Sequence, residues 1–298
     1  MSVKNKTLSG ICPFHNEKTS SFVIYPDEGK FHCFGCGEHG SYADFLIKTG
    51  VAADFKEAIK ELHNIAGVPY GNDKKHNNNK KIALLFKDAL KKNKSAMEYI
   101  KKRGISESSI EKFMLGYGVP TRELREGVPE NLFSNRIIFP IIMGKEMYGF
   151  TGRSIDGTLP KYKNSPGLNK NKLLYGLFPQ SVKSWGFIIL VEGYIDAIMM
   201  HQYGFDNTAG VMGSSLSNEQ IDLIKGYPVV LAFDGDKAGQ EAAKKAAKDL
   251  LKMGVHAKIA ELPDKKDPAD IIAEGDDMAS IIDNAIPAVE FLLKMAAD

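Results

Sequence analysis

Two sets of side chains in this sequence have the types and spacing to do chemistry. The first is Cys12-x2-His15 with Cys33-x2-Cys36, separated by seventeen residues, and it uses all three cysteines of the chain. Thiolate and imidazole donors in two close pairs suit tetrahedral zinc, and four protein ligands leave no open position, so such an ion is structural. Gly35 and Gly37 flank Cys36, where the backbone must turn sharply and direct amides at sulfur. A segment this small would take its folding energy from the ion. Buried free thiols, or one disulfide with a thiol left over, are the alternative. His32 and His39 break the x2 spacing and read as neighbours of the site, not ligands.

The second set is acidic. Glu192 follows the apolar run 187–191, with Gly193 behind it. Asp234-Gly-Asp236 follows the run 229–233, and Asp267 and Asp270 follow 257–262. Carboxylates that converge on one rim repel one another unless a cation neutralises them, and oxygen-only sites favour Mg2+ or Mn2+. Such ions clamp the attacking and leaving oxygens in phosphoryl transfer. Gly193 and Gly235 would let a phosphate or metal approach the backbone. Asp196 could cap or orient within the first helical turn, or join the metal. The plain alternative for all of these is helix caps and turn aspartates.

The elements that must position these residues follow from periodicity. Short strands at 21–25 and 30–34 lie between the ligand pairs, and helices at 41–49 and 54–66 follow, with Ser41 and Asp54 as caps. Residues 71–81, with Asn77-Asn-Asn79, offer nothing apolar to bury and read as a linker. One amphipathic helix is expected over 82–102, stopped by Gly104. Strands at 136–140 and 146–150 come next, and 161–172 reads as a polar, basic loop. From 187 onward strands and helices alternate: strands at 187–191, 208–212, 229–233 and 257–262, helices at 195–203, from the Ser217-x2-Gln220 capping box, and at 239–253. That order implies a mainly parallel, helix-covered sheet, with ligands gathering beyond the carboxyl ends of its strands. The expected fold class is α/β (α+β overall). A zinc ribbon spans 1–70 and a linker 71–81. A basic mixed α/β subdomain spans 82–185, and a Rossmann-like sheet 186–298.

The net charge of +2 hides a division along the 298 residues. The first 75 are balanced, residues 76–190 carry a net of +11, and residues 191–298 a net of −9. The basic middle fits a polyanion track, and Arg153, Lys161-Tyr-Lys-Asn-Ser165, Lys170 and Lys172 gather charge in one region of it. A solvated basic loop is the bland reading. No apolar run is long enough to span a membrane, no secretory leader opens the chain, and the cysteines are committed to metal, so the expectation is a cytoplasmic protein without a membrane partner.

At this point the motifs resemble those of a known family. Cys-Pro-Phe-His-Asn-Glu-Lys-Thr (12–19) and Phe-His-Cys-Phe-Gly-Cys-Gly-Glu-His-Gly (31–40) are similar to the zinc-binding CHC2 domain of bacterial DnaG-type primases. Val-Glu-Gly-Tyr-Ile-Asp (191–196) and Asp-Gly-Asp-Lys-Ala-Gly (234–239) resemble that family's TOPRIM core. Between them, Arg136-Ile-Ile-Phe-Pro-Ile141, Gly152-Arg153, Lys161-Tyr-Lys-Asn-Ser-Pro166 and Leu174-Tyr-Gly-Leu177 match its basic subdomain in order. The resemblance implies a DNA primase, a nucleotidyltransferase that makes short RNA primers from NTPs on a single-stranded DNA template, with an RNA–DNA hybrid as product. It implies Glu192, Asp234 and Asp236 as the catalytic acids. With Asp196, Asp267 and Asp270 these would hold two or more Mg2+ or Mn2+, and Cys12, His15, Cys33 and Cys36 would hold one zinc. Arg136, Arg153, Lys161, Asn164 and Lys170 would meet nucleotide or template phosphates, and Arg103 matches a further basic position. The lead-in before Cys12 is short, and the family's last catalytic helices and helicase-binding domain are missing. The expectation is therefore a compact phage or plasmid version or a fragment, with helicase contact by another route.

Two other readings are weighed against a primase. A TOPRIM nuclease or topoisomerase-like enzyme fits the acids but does not call for the ribbon and basic segment. A non-catalytic zinc-ribbon DNA-binding protein has no reason to gather repelling acids. A fused helicase is excluded, since no Gly-x4-Gly-Lys-Ser/Thr loop occurs.

Overall fold

Four phenylalanines build the core of the N-terminal unit. Phe14, Phe22, Phe31 and Phe45 pack with ring centroids 5.2 to 6.0 Å apart, beside the buried Cys12 and Cys33. The computed structural model describes residues 7–66, 73–121, 130–213 and 215–297. The chain divides into two compact units, 1–73 and 74–298.

In the first unit, β1 (Leu8–Gly10), β2 (Phe22–Tyr25), β3 (Lys30–Cys33) and β4 (His39–Ser41) form an antiparallel meander. Two helices follow, α1 (Tyr42–Lys48) and α2 (Phe55–Ala66). Ser41 caps α1 through a full capping box with Asp44, and Asp54 Oδ1 accepts the Glu57 amide at 2.8 Å.

The second unit opens with a correction. Residues 73–81, expected to be linker, belong to α3 (Asp73–Lys92). Polarity misled here. Asn79 is buried and its Nδ2 donates to the Met147 carbonyl at 3.0 Å, one turn ahead of the buried Ile82, Phe86 and Leu90. Gly71 and Asn72 lie outside the described residues. The single helix expected over 82–102 is two, because Asn93 interrupts it and its side chain caps α4 (Lys94–Lys102) by accepting the Ala96 amide at 2.9 Å. Gly104, at φ +74, ends α4 as expected.

After α5 (Glu107–Lys112) come β5 (Gly116–Tyr117), β6 (Arg136–Met143), β7 (Glu146–Ser154) and β8 (Tyr162–Asn164), an antiparallel sheet in the order β5-β6-β7-β8. β8 corrects the expected basic loop, because three of its residues are a strand paired to β7. The register sets Tyr162 opposite Arg153 and Asn164 opposite Thr151.

The second sheet contains β9 (Ile188–Val191), β10 (Thr208–Gly210), β11 (Val229–Leu231), β12 (Ala257–Ile259) and β13 (Ile286–Pro287), in the order β10-β9-β11-β12-β13. All pairings are parallel except β12 with β13. Alternate residues serve opposite faces. Ile189, Val191 and Val230 pack with α7 (Tyr194–Tyr203), α10 (Pro268–Glu274) and α11 (Met278–Asp283). Ile188, Leu190, Val229 and Leu231 pack with α6 (Pro179–Trp185), α8 (Asn218–Ile224), α9 (Lys237–Lys252) and α12 (Ala288–Ala297). Ser217 and Gln220 make the expected capping box on α8. The result is the mainly parallel, doubly covered sheet expected from the alternation. Among the described residues, no helix is long and apolar enough to cross a membrane.

Candidate metal and nucleotide-binding sites

The two ligand pairs meet at the turns that precede β2 and follow β3. One donor atom from each of Cys12, His15, Cys33 and Cys36 lies within 4.8 Å of all the others, and among the described residues no other group of three or more such side chains does so. Cys12 Sγ is 3.9 Å from Cys36 Sγ, and Cys33 Sγ is 3.8 Å from His15 Nδ1. The Phe14 amide donates to Cys12 Sγ at 3.3 Å and the Cys36 amide to Cys33 Sγ at 3.5 Å. Burial raises the Cys33 thiol, but hydrogen bonds from Ser21 and the Cys36 and Gly35 amides outweigh it and bring the thiol to about 6. Cys12 is shifted the other way, raised chiefly by burial. A cage of three sulfurs and one nitrogen fits a structural zinc ion, whose charge favours the thiolate form of its ligands. Gly35 is needed for space, since a Cβ there would stand 2.7 Å from Ser21 Oγ and 2.8 Å from His15 Nε2. His32 and His39 stay outside the cage. His32 stacks on Phe34 at 4.4 Å.

The acids gather at the carboxyl ends of β9 and β11 and around the turn before α10. Glu192, Asp196, Asp234 and Asp267 line a cleft of about 520 Å³ that Arg103, Arg153, Lys161, Tyr162 and Lys170 line as well. Glu192 Oε1 accepts the Asp234 amide at 3.1 Å. Asp236 and Asp267 do cap helices, accepting the Gly239 amide at 2.8 Å and the Asp270 amide at 2.7 Å. Each of these caps uses one carboxylate oxygen. Asp270 stands exposed in the first turn of α10.

The electrostatics of this rim are those of acids short of counter-charge. Burial, then the charges of Glu192 and Asp267, pushes Asp234 up to about 7. Burial, then Asp267 and Asp234, pushes Asp196 up to about 8. Glu192 and Asp267 are also raised, chiefly by burial. Asp234 Oδ1 is buried with no hydrogen-bond partner. A buried carboxylate oxygen without a donor, beside three more acids, fits a divalent cation.

Three family models match in series: a CHC2 zinc finger over 1–78, a DNA primase catalytic core N-terminal domain over 122–181, and a Toprim-like domain over 189–272. The zinc-binding and RNA polymerase domains of the Aquifex aeolicus primase are a structural match with a TM-score of 0.68 and 30% identity, covering 100% of this chain and 83% of that one. The chain belongs to the DnaG primase family. A DNA primase from Clostridium acetobutylicum is 34% identical over 98% of this chain. One from Borreliella burgdorferi is 32% identical over 95% of it. The chain spans 56% of the first and 64% of the second. A further neighbour, a DnaG primase catalytic domain bound to ssDNA, is 27% identical with a TM-score of 0.65, and the match covers 74% of this chain and 81% of that one.

Within this DnaG-type core, the basic residues divide. Arg153 stacks over the Tyr162 ring at 5.5 Å and donates to its hydroxyl at 2.9 Å. Lys170 Nζ donates to the Met212 carbonyl at 2.8 Å at the cleft edge. Asn164 is exposed and accepts from the Thr151 hydroxyl at 2.8 Å. Arg136 departs from expectation. It is 2% exposed, and its guanidinium donates to the carbonyls of Gly152, Pro160, Lys161 and Thr158 at 2.8 to 3.4 Å. It ties the 158–161 segment to β7 and does not face the cleft.

The glycines also need a different explanation. A Cβ on Gly235 would lie 2.0 Å from the Pro263 carbonyl oxygen, and one on Gly193 would lie 2.5 Å from Asp196 Oδ2. Protein, not ligand, occupies that space. Tyr162 is the cleft residue that sequence reasoning missed, although an aromatic set between two lysines was a usable signal.

Proposed function

We propose that this chain synthesises short RNA primers on single-stranded DNA from NTPs, at the cleft between the acidic rim and Arg153, Lys161 and Lys170. The observation that carries the reading is the partnerless buried Asp234 Oδ1 among raised carboxylates, in a cleft that basic side chains also line. The DnaG neighbour solved with ssDNA supports a single-stranded template.

Glu192, Asp234 and Asp236, with Asp196 and Asp267 behind them, would hold Mg2+ or Mn2+, which when bound supplies charge stabilisation to the attacking 3′-oxygen and the departing pyrophosphate. Asp270 is exposed and joins through its charge on Asp234 and Asp267. Lys161 and Lys170 bring positive charge to the triphosphate or the template backbone. Arg153 does the same with its plane fixed by Tyr162, which lowers the entropy lost on gripping a phosphate. Asn164, exposed at the end of β8, offers an amide donor. The zinc ribbon would contact the template where synthesis starts. On this reading the protein works in the cytoplasm, with the replicating DNA.

The test is primer synthesis on mixed-sequence single-stranded DNA with labelled ribonucleotides and Mg2+ or Mn2+. Short RNAs that require metal and vanish in Asp234→Ala support the proposal. DNA cleavage without RNA, or RNA that survives Asp234→Ala, rejects it.

A further inference from the structure

The zinc ribbon contains one carboxylate that is not a ligand, yet sits against the cage. Glu17 lies two residues beyond His15, and its side chain is 9% exposed. Its Oε1 accepts the amides of Cys12 at 2.8 Å and Ser21 at 3.2 Å. Its Oε2 accepts the Ser21 hydroxyl and stands 3.3 Å from His15 Nε2. The same Ser21 hydroxyl is 3.1 Å from Cys33 Sγ. On the other side of the ring, His15 Nδ1 faces Cys33 Sγ at 3.8 Å.

An ionised carboxylate only accepts hydrogen bonds, so a neutral imidazole beside it places its proton on the nearer nitrogen. The other nitrogen then carries the lone pair. We propose that Glu17 is the positioning residue of this ribbon, holding His15 as the Nε2–H tautomer so that Nδ1 is the atom offered to zinc. The proposal rests on the ribbon binding zinc. Two observations beyond the 3.3 Å separation support it. The ring sits directly against Gly35, in the space a side chain would fill, since an added Cβ there would meet His15 Nε2 and Cε1 at 2.8 and 2.9 Å. Glu17 also spans the ligand loop, gripping Cys12 at one end and Ser21 at the other, so the ring is oriented by the group that sets the loop. Such outer carboxylates orient a ligating histidine and raise its basicity, and losing one costs ~10–100-fold in metal affinity.

The experiment uses the full chain loaded with zinc, and Glu17→Gln beside it. Long-range proton–nitrogen NMR reads which His15 nitrogen bears the proton, and chelator competition reads the zinc dissociation constant. The expected result is a protonated Nε2 with Nδ1 coordinated in the parent. In Glu17→Gln, whose amide keeps an oxygen for the Cys12 and Ser21 amides but turns a donor toward Nε2, the dissociation constant should rise ~10–100-fold. Coordination through Nε2 in the parent overturns the proposal, as does parent-like affinity in Glu17→Gln. Should Glu17→Gln not fold, the parent spectrum decides alone. A parent that takes up no zinc overturns the zinc reading and this proposal together.

Discussion

Glu192 Oε1 accepts the backbone amide of Asp234 at 3.1 Å, so the acid that ends one strand is tied to the acid that ends its neighbour. The bond needs an acceptor oxygen and not a charge. Glu192→Gln should therefore keep the fold while removing one negative charge from the rim. We expect thermal stability within a few degrees of the parent and a fall in primer synthesis of at least ~100-fold, since a metal-clamped step loses several kcal/mol of transition-state stabilisation. Thermal melts and single-turnover primer assays check the two halves separately.

Metal binding at the rim should release protons. Asp234 is raised to about 7 and Asp196 to about 8, so both hold protons near neutral pH that a dication displaces. Titrating Mg2+ into zinc-loaded protein at pH 7, in buffers of different ionisation enthalpy, should show net proton release. Asp196→Asn should reduce it.

The same shifts set a pH dependence on folding. The unfolded carboxylates lose their protons near pH 4 while the folded ones keep them to about 7 and 8, so the folded state binds more protons in that window. Stability in magnesium-free buffer should then fall as pH rises from about 4 to 8, and Mg2+ should restore it at the upper end. Denaturant midpoints across that range are the measurement.

His201 runs the opposite way. Burial and the nearby Lys112 depress it to about 4, with Nε2 donating to the Thr208 carbonyl at 2.8 Å and the Lys112 ammonium 3.0 Å from Nδ1. The unfolded chain takes up a proton near pH 6.5 that the folded chain refuses, so this contribution is complete above 6.5 and is lost as pH falls toward 4. Comparing the parent with His201→Gln isolates it: the stability difference between the two should shrink as the solution is acidified.

Arg136 and Arg153 should separate cleanly. Arg136→Ala leaves buried carbonyls without donors and should cost ~3 kcal/mol of stability. Arg153→Ala should leave the melting curve nearly unchanged and weaken nucleotide binding. If Arg136→Ala instead melts like the parent and binds nucleotide poorly, its assignment to the 158–161 segment is wrong.

Where the sequence was legible, the signal was spacing. The x2 pairs of the ribbon, the alternation of strands and helices after 187, and the Ser41 and Ser217 caps all translate directly into geometry, because each depends on residues close in the chain. What stayed hidden depends on distant partners. Asn79 looks like linker until Met147, sixty-eight residues on, supplies its carbonyl. Arg136 belongs to a matching motif, yet its side chain is consumed by carbonyls sixteen to twenty-five residues away. Asn93 splits a continuous amphipathic pattern because a side-chain acceptor for the Ala96 amide outweighs one more turn of helix. The acids were found as a set, but whether each is a cap or faces the cleft depends on which oxygens the helix amides take.

The crowding at Gly235 has a mechanical consequence. Its amide donates to the Lys266 carbonyl at 2.8 Å, and its α-carbon face lies against the Pro263 carbonyl, so the turn bearing Asp234 and the turn leading to Asp267 interlock through main chain. An obstacle made of backbone cannot rotate away as a side chain can. The gauge between the two acids is therefore set by peptide geometry and would survive loss of charge at either one. Gly235→Ala would do the reverse, leaving every charge in place while prying the turns apart.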